Sequence, residues 1–341
     1  MNFASFDAII DVRSPSEFAE DHIPGAVSAP VLDDAERAQV GTMYKQISAF
    51  EAKKLGAALL AKNAAQHIQR LFSDKPKSWH PLVYCWRGGK RSGAMAHILR
   101  EIGWNAETLE GGYKAYRRVV VSALSRLPST LDFIVIHGPT GSGKSRLLGA
   151  LRRTGAQVLD LEELAAHRGS VLGNLPERAQ PTQKMFESLL LKELSALDCA
   201  RPVYVEGESK KIGELQVPDA LIERMRASPC IVLDTPLEAR VDLLLEEYGH
   251  FMENKPALDA QLDCLIPLHG RERIAQWKAL TDWRELVTRL LLEHYDPAYR
   301  RSSARNFAQL PEARRIHIPC ADDSAFLSAA RSVVESSAVL A

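Results

Sequence analysis

No charge of either sign is in excess in this chain. Forty-three lysines and arginines are matched by 43 acidic residues, so a polyanion would have to be met by local patches rather than by a basic whole. Cysteine is scarce, with five in 341 residues and no C-x-x-C pair. That spacing argues against a zinc ribbon and against a disulfide framework, and a reducing compartment fits it better. Apolar runs are all shorter than the roughly 18 residues a membrane helix needs. The opening stretch "MNFASFDAIIDVRS" lacks both a basic region and a long apolar segment, so no secretory signal is expected. No membrane partner and a cytoplasmic location are therefore the expectation. Internal repeats and low-complexity tracts are missing too.

What is present is ordinary for a globular protein: 46% hydrophobic and 25% charged residues, with length for two domains. "FDAIIDV" (6–12) reads as a buried strand, and Ser14 or Ser16 can cap a helix with Glu17 in its first turn. Residues 43–72 carry an Ala-rich helical pattern without proline. "PLVYC" is a second strand, "SGAMAHILREI" an amphipathic helix stopped by Gly103, and "NAETLEGGYKAYRR" a strand, a Gly-Gly turn and a helix. The polar "SRLPST" (125–130) reads as a linker. A second alternation follows, with strands at "LDFIVIH", "AQVLD", "RPVYVE", "PCIVLD" and "RRIHI". Its long helical region covers about 237–312. Strands alternating with helices predict an α/β fold with a parallel sheet in each domain. The boundaries expected are 1–124, a linker 125–130, and 131–341.

The second domain opens on "GPTGSGKS", which fills G-x-x-x-x-G-K-[ST] from Gly138 to Ser145, between an apolar strand and a helix. Gly138, Gly141, Ser142 and Gly143 let backbone amides turn around phosphate oxygens. Lys144 adds a point charge, Ser145 can ligate Mg²⁺, and the helix N-terminus adds its dipole. This predicts a P-loop domain holding a phosphate or diphosphate. A carboxylate at a strand end is expected on the metal or water side. Glu206 with Glu208, Asp160 and Asp234 are the candidates, with Glu206 preferred; the alternative for each is a helix cap.

The first domain carries "YCWRGGKRS". Cys85 ends a strand and Ser92 begins a helix. Between them Trp86, Arg87, Gly88, Gly89, Lys90 and Arg91 form a C-x5-R loop. Its amides can converge as an anion nest with Arg91 reaching over them. Helix dipole and cations favour a thiolate there, which makes Cys85 a candidate nucleophile beside a tetrahedral-anion pocket. Cys199, Cys230, Cys264 and Cys320 read as structural. Trp86 can stack on an unstacked base or pack within the protein.

"DVRSPSEFAEDHIPGA" and "LEGGYKAYRR" resemble the flanking signatures of rhodanese-type domains, with Cys85 in the place of the persulfide-forming cysteine. The loop is longer than in sulfur-transferring rhodaneses and resembles that of dual-specificity phosphatases. In its order of motifs, including "VGTMYK", "HRGSVLGN", "QPTQKMFE", "EGESKKIG" and "HYDPAYRRS", nearly the whole chain resembles the bacterial tRNA 2-selenouridine synthases. The resemblance implies a rhodanese-like domain followed by a P-loop NTPase-like domain. It implies a transferase acting on 2-thiouridine at the wobble position of tRNAs of the Lys, Glu and Gln type. Geranyl diphosphate and selenophosphate are the implied co-substrates, and a selenophosphate-producing enzyme is an implied partner. No tightly bound cofactor and no dedicated metal site are expected beyond Mg²⁺ at the diphosphate. In that scheme Cys85 serves selenium transfer, with Asp11 and His22 as loop support, and the P-loop serves geranyl transfer. Lys210, Lys211, Arg271, Arg273, Arg300, Arg301, Arg305, Arg314 and Arg315 are candidate tRNA contacts.

Three other readings compete. A P-loop kinase or ATPase with a regulatory rhodanese module would turn over nucleotide without tRNA. A phosphatase is favoured by loop length but opposed by Tyr84, where such enzymes carry histidine. A non-catalytic RNA-binding protein would leave Cys85 without a role.

Overall fold

The first strands form where the sequence is most apolar. They are β1 (Ala8–Asp11), β2 (Val27–Ser28), β3 (Pro81–Tyr84) and β4 (Glu107–Thr108), arranged in the order β2-β1-β3-β4 with every pair parallel. This is a computed structural model that describes residues 3–170, 173–175, 178–307 and 309–338, with side chains for all but 302–306, 337 and 338. The chain divides into two units, Met1–Ala123 with Thr182–Lys192, and Leu124–Pro181 with Glu193–Ala341.

In the first unit, helix α1 (Pro15–Glu20) starts with proline, and the Ser14 amide donates to the Glu17 carboxylate at 3.1 Å, closing the helix start. The pattern over 43–72 resolves into two helices, α2 (Asp34–Gln46) and α3 (Ala49–His67), and then a π-helical turn, Ile68–Phe72. The break has a local cause. Ser48 accepts hydrogen bonds from the amides of Phe50 and Glu51 and caps a new helix. Helix α4 (Lys90–Ile102) begins after Gly89 at φ 74° and stops at Gly103, and α5 (Gly112–Leu124) completes the layer. Ile10, Val12, Phe72, Trp79, Val83, Met95 and Leu99 form the core.

One cation lies in that unit's interior. Arg13, 1% exposed, forms an ion pair with fully buried Asp11 at 2.6 Å. It also donates to the Asp21 carbonyl at 2.6 Å and lies 4.0 Å over the Tyr113 ring. Part of the unit comes from far along the chain. Lys184 pairs with Glu20 at 2.5 Å, and Arg117 donates to the Lys184 carbonyl at 3.2 Å and pairs with Glu187. The expected boundaries placed Thr182–Lys192 in the second domain; these polar contacts attach it to the first unit. Within the expected linker, Leu127–Thr130 is a turn of 3-10 helix with Pro128 buried.

The second unit runs β5 (Phe133–His137), α6 (Lys144–Arg153), β6 (Gln157–Leu159), α7 (Leu161–Ala165) and the last residues of α8 (Gln183–Ala196). Then come β7 (Val203–Glu206), the hairpin of β8 (Lys211–Ile212) and β9 (Leu215–Gln216), α9 (Asp219–Arg226) and β10 (Cys230–Asp234). The helical region holds α10 (Leu237–Glu247), α11 (His250–Glu253), α12 (Lys255–Asp263), α13 (Ile266–Lys278), α14 (Trp283–Leu290), a π-turn at Leu291–Tyr295 and α15 (Asp296–Asn306). Strand β11 (Arg314–His317) and α16 (Asp323–Ala338) close it. The sheet order is β11-β10-β5-β7-β6, all parallel. Chain order reverses direction around β5, so the crevice at its carboxyl end is where such sheets bind ligands. Leu147, Leu151, Tyr204, Leu233, Leu243 and Phe326 fill the space between sheet and helices. Leu258, Leu262, Ile274, Trp277, Leu286 and Leu290 form a separate core in the helical region. Among the described residues no helix is long and apolar enough to cross a membrane.

Arg13→Ala leaves Asp11 buried without its partner and should cost about 3–5 kcal/mol. Denaturant unfolding of the full chain, followed by a first-unit probe such as Trp79 or Trp104 fluorescence, checks this. A loss below about 1 kcal/mol would show that the pair is not holding the unit.

Candidate functional site

The thiol loop is fixed from both sides. Cys85 follows β3 directly, is 4% exposed, and receives a hydrogen bond on Sγ from Ser92 Oγ at 3.3 Å. The Tyr113 and Lys114 amides donate to the carbonyls of Cys85 and Trp86 at 2.8 and 2.9 Å, tying the loop to α5. Arg87, Gly88 and Lys90 are exposed, and Trp86 is 40% exposed with its ring 5.4 Å from that of Tyr113. Arg91, expected to reach over the loop, is engaged by Glu17. Its guanidinium donates to Glu17 at 2.9 and 3.4 Å, and Glu17 also pairs with Arg37 at 3.2 Å. Burial works against the Glu17 carboxylate, but Arg91, the Ser14 amide and Arg37 hold it below the usual range. An open depression of about 490 Å³ lies in front, lined by Ser16, Glu17, Glu20, Arg37, Trp86 and Arg91. Asp11 is engaged with Arg13. His22 bonds through Nδ1 to the Phe18 carbonyl at 2.9 Å and stacks on Phe18, so both support the surrounding fold.

In the second unit the loop from Gly138 leads from β5 into α6. Gly143, at φ 84°, precedes the helix, and a Cβ there would run into the Phe326 ring, so only glycine fits. The loop is braced from the helical region. Buried Arg240 donates to the Thr140 carbonyl at 3.0 and 2.8 Å and pairs with Asp296 at 2.5 Å, while Thr235 donates to the Ser142 carbonyl at 2.9 Å. Lys144 Nζ donates to the Gly138 carbonyl at 3.4 Å. Burial alone would lower its ammonium, but Glu208, Glu206 and Glu162 outweigh that and raise it.

Those carboxylates are the densest charge in the unit. One oxygen each of Glu162, Glu206 and Glu208 lies within 4.8 Å of the others. Glu206 is fully buried, and neither of its oxygens has a hydrogen-bond partner. Burial first, then repulsion from Glu208, push it up to about 8; burial and the same neighbours raise Glu162. Ser145 Oγ donates to Glu162 at 3.1 Å. Gly169 (φ 62°) passes so close that a Cβ would meet the carboxylates of Glu162 and Glu208 at 2.5 and 2.7 Å. Two orphaned buried oxygens on Glu206, with the Glu162 and Glu208 carboxylates and the Ser145 hydroxyl beside them, are the donor set of a hard divalent cation. The sequence reading named Glu206 and Glu208 but missed Glu162, which looks like an ordinary acidic residue in a helix's first turn.

The other two carboxylate candidates separate. Asp160 caps α7, accepting from the Glu163 amide at 2.9 Å, and still lines the cavity. Asp234 is largely exposed beside His317 at 3.6 Å and lies outside it. The cavity, about 590 Å³, is bounded by the phosphate loop, Glu162, Glu208, His167, Arg168, Gly169 and Tyr248. From the π-turn and α15 come His294, Tyr295, Ala298 and Tyr299. Arg300 falls on the opposite side of the helix, and Arg301, one stripe with His294 and Ala298, is not among the residues that line the cavity; both are exposed. The side chain of Arg305 lies outside the described residues. Lys210, Lys211 and Arg273 are paired with Asp219, Glu214 and Glu293; Arg271, Arg314 and Arg315 are exposed. None of these cations is among the described residues that line the cavity of the phosphate loop.

A second cavity, about 50 Å³ and almost wholly apolar, adjoins the first. Thr140, Leu244, Tyr248 and Tyr295 line both. Phe251, Met252, Leu258, Trp283, Leu286, Val287 and Leu290 complete its wall. Nothing in the sequence distinguished these from ordinary helix-packing residues.

A thiol on a strand-to-helix loop in one unit, and a phosphate cradle with a carboxylate cluster in the other, define a two-domain rhodanese and P-loop protein. Residues 2–118 match the rhodanese-like domain, and 131–263 match the tRNA 2-selenouridine synthase AAA domain. A tRNA 2-selenouridine synthase of Nitrosomonas europaea is 40% identical over 251 residues, 72% of this chain and 64% of that protein, so less than two thirds of its length is covered. Those of Bdellovibrio bacteriovorus and Cronobacter sakazakii are 41% and 38% identical, over 75% and 81% of this chain and 70% and 71% of theirs. The chain belongs to the tRNA 2-selenouridine synthase family.

Glu206 should govern the pH response of this unit. A raised carboxyl pKa means the folded state holds a proton that the unfolded state releases near 4.5. Stability of the metal-free protein should therefore fall as pH rises from about 4.5 to about 8. Glu206→Gln should reduce that dependence, the remainder coming from Glu162 and Glu208, which burial also raises. In EDTA it should melt higher than wild type at pH 8, with the difference closing towards pH 5. Parallel melting curves at every pH would contradict the assignment.

Proposed function

We propose that the chain modifies wobble 2-thiouridine of tRNA in two steps, a prenyl transfer in the P-loop unit and a selenium transfer at Cys85. The observation that carries this reading is the apolar slot running off the phosphate cavity through Thr140, Leu244, Tyr248 and Tyr295. A nucleotide would have little use for a slot walled by Phe251, Trp283, Leu286 and Leu290. An allylic diphosphate needs both halves: loop amides and an ammonium for its head, and a dry entrance for the first carbons of its tail.

In the first step the thiocarbonyl sulfur attacks C1 of geranyl diphosphate. The C–S bond forms, the C–O bond breaks, diphosphate departs, and the base loses its N3 proton. The loop amides and Lys144 hold the leaving group as its charge develops. Glu162, Glu206, Glu208 and Ser145 would hold Mg²⁺, which supplies further charge neutralisation to the diphosphate. In the second step the selenium of selenophosphate attacks C2, the C2–S bond breaks and geranyl thiol leaves, and water then cleaves the Se–P bond, releasing phosphate and leaving selenium on C2. Cys85, Ser92 and the loop amides form a seat for a tetrahedral anion with a soft atom, and exposed Trp86 offers a stacking surface for the base. The Lys, Glu and Gln tRNAs are the substrates this reading takes, with a selenophosphate-producing enzyme supplying the donor.

The test incubates the protein with tRNA carrying wobble 2-thiouridine, geranyl diphosphate and Mg²⁺, with and without selenophosphate, followed by nucleoside mass spectrometry. Cys85→Ala should stop at the geranylated base, and Lys144→Ala should fall at least a hundredfold short of it. Leu286→Trp, which fills the slot, should raise KM for geranyl diphosphate tenfold or more and leave inhibition by inorganic diphosphate unchanged. Wild-type protein that leaves the tRNA untouched while hydrolysing nucleotide would favour a kinase or ATPase instead.

A further inference from the structure

In the first unit, α2 and α3 form a hairpin that buries very little. No residue of α2 is buried, and only Ala52 and Ala64 of α3 are. At its end Tyr44, Ile47 and Phe50 are 53%, 74% and 67% exposed. Lys45, Lys53 and Lys54 are exposed around them, with Glu51 the single acid between 43 and 56. Lys54 Nζ lies 5.3 Å from the Phe50 ring centre and pairs with Glu51 at 2.8 Å, which leaves Lys45 and Lys53 in excess. In a chain with no net charge, this is a local basic and aromatic patch.

The patch is continuous with the depression in front of the thiol loop. Arg37, on α2, lines that depression together with Trp86. Arg37, Gly41 and Tyr44 stand at i, i+4 and i+7, one stripe of the helix, and the stripe climbs about 10 Å from mouth to tip. Gly41 is the telling residue. It is exposed in the middle of a helix, where glycine costs about 1 kcal/mol relative to alanine. A Cβ built there meets nothing within 4 Å. Nothing inside the protein requires glycine at this position, whereas a partner lying closely along the stripe would.

We propose that this face, from Trp86 and Arg37 past Gly41 to Tyr44, Phe50 and the lysines, is a track for single-stranded RNA that delivers a base to the mouth of the thiol loop. The inference rests on the reading of tRNA as substrate. Lysines complement phosphates, exposed rings offer stacking to unpaired bases of any identity, and a bare backbone at Gly41 admits a sugar or phosphate. An acidic peptide would satisfy the lysines but not account for exposed aromatic rings at one end and Trp86, next to the thiol, at the other.

The test measures binding of the full chain to labelled tRNA with wobble 2-thiouridine by fluorescence anisotropy across a salt series, with blunt duplex RNA as control. Gly41→Ala should raise the melting temperature, since the space is open and alanine is the better helix former, yet weaken tRNA binding several-fold. A purely structural role would not give those opposite signs. Tyr44→Ala with Phe50→Ala should weaken tRNA binding tenfold or more and leave duplex binding unchanged. Replacing Lys45, Lys53 and Lys54 by Gln should lower the slope of log K against log salt by about 2. If wild type binds tRNA and all these variants bind equally well, the track is wrong while the tRNA reading stands. If wild type fails to bind tRNA, both fall. If sedimentation shows a wild-type dimer that the aromatic variant loses while keeping its RNA affinity, the patch is a self-interface and the track is wrong.

Discussion

Three carboxylates within 4.8 Å of one another, facing one ammonium, cannot all be ionised in a buried site without a further cation. Much of the second unit follows from that constraint. Parallel strands bring Glu206 to the carboxyl end of the sheet, and α7 supplies Glu162 from the neighbouring connection. Gly169 must be bare of a side chain because it crosses directly over them. The phosphate loop supplies Lys144 from the other side. The resulting cluster is a set of donors for a hard divalent cation next to a phosphate-loop motif.

Both units solve a similar problem with the same local geometry. A buried strand ends, glycines turn the backbone, and a helix begins with its amides facing the ligand. Each helix begins with a lysine after a left-handed glycine, Lys90 after Gly89 and Lys144 after Gly143; what differs is the thiol that leaves the strand in the first unit. In each case the loop is stiffened from outside. Arg240 with Asp296 braces the phosphate loop, and the amides of Tyr113 and Lys114 brace the thiol loop. Such bracing lowers the reorganisation needed when an anion binds.

Local patterns were legible where they depend on neighbours in sequence. The phosphate loop, the thiol loop, the strands before them and the helix caps all rest on spacing within about ten residues, and backbone sterics enforce that spacing wherever the chain goes. Glu206 was found because a strand end is a local feature. Glu162 was not, since an acidic first turn is common in helices and only the packing of β6 against β7 aims this one inward. The arginines of "HYDPAYRRS" were chosen for charge, but helical phase turns His294, Tyr295, Ala298 and Tyr299 to the cavity. Arg91 was expected above its loop, and Glu17, far away in sequence, takes it instead.

The sequence by itself determined the two loops, the α/β alternation and the separation into two chemistries, because these are set by short-range periodicity and by glycine and lysine at fixed intervals. Tertiary structure alone decided that Thr182–Lys192 joins the first unit, that three glutamates share one site, and that an apolar slot opens beside the cavity of the phosphate loop. These depend on long-range juxtaposition of side chains that look like ordinary core or surface residues along the chain. Burial changes what they do: a carboxylate without water becomes a metal ligand or an acid, and a gap between leucines becomes a binding site.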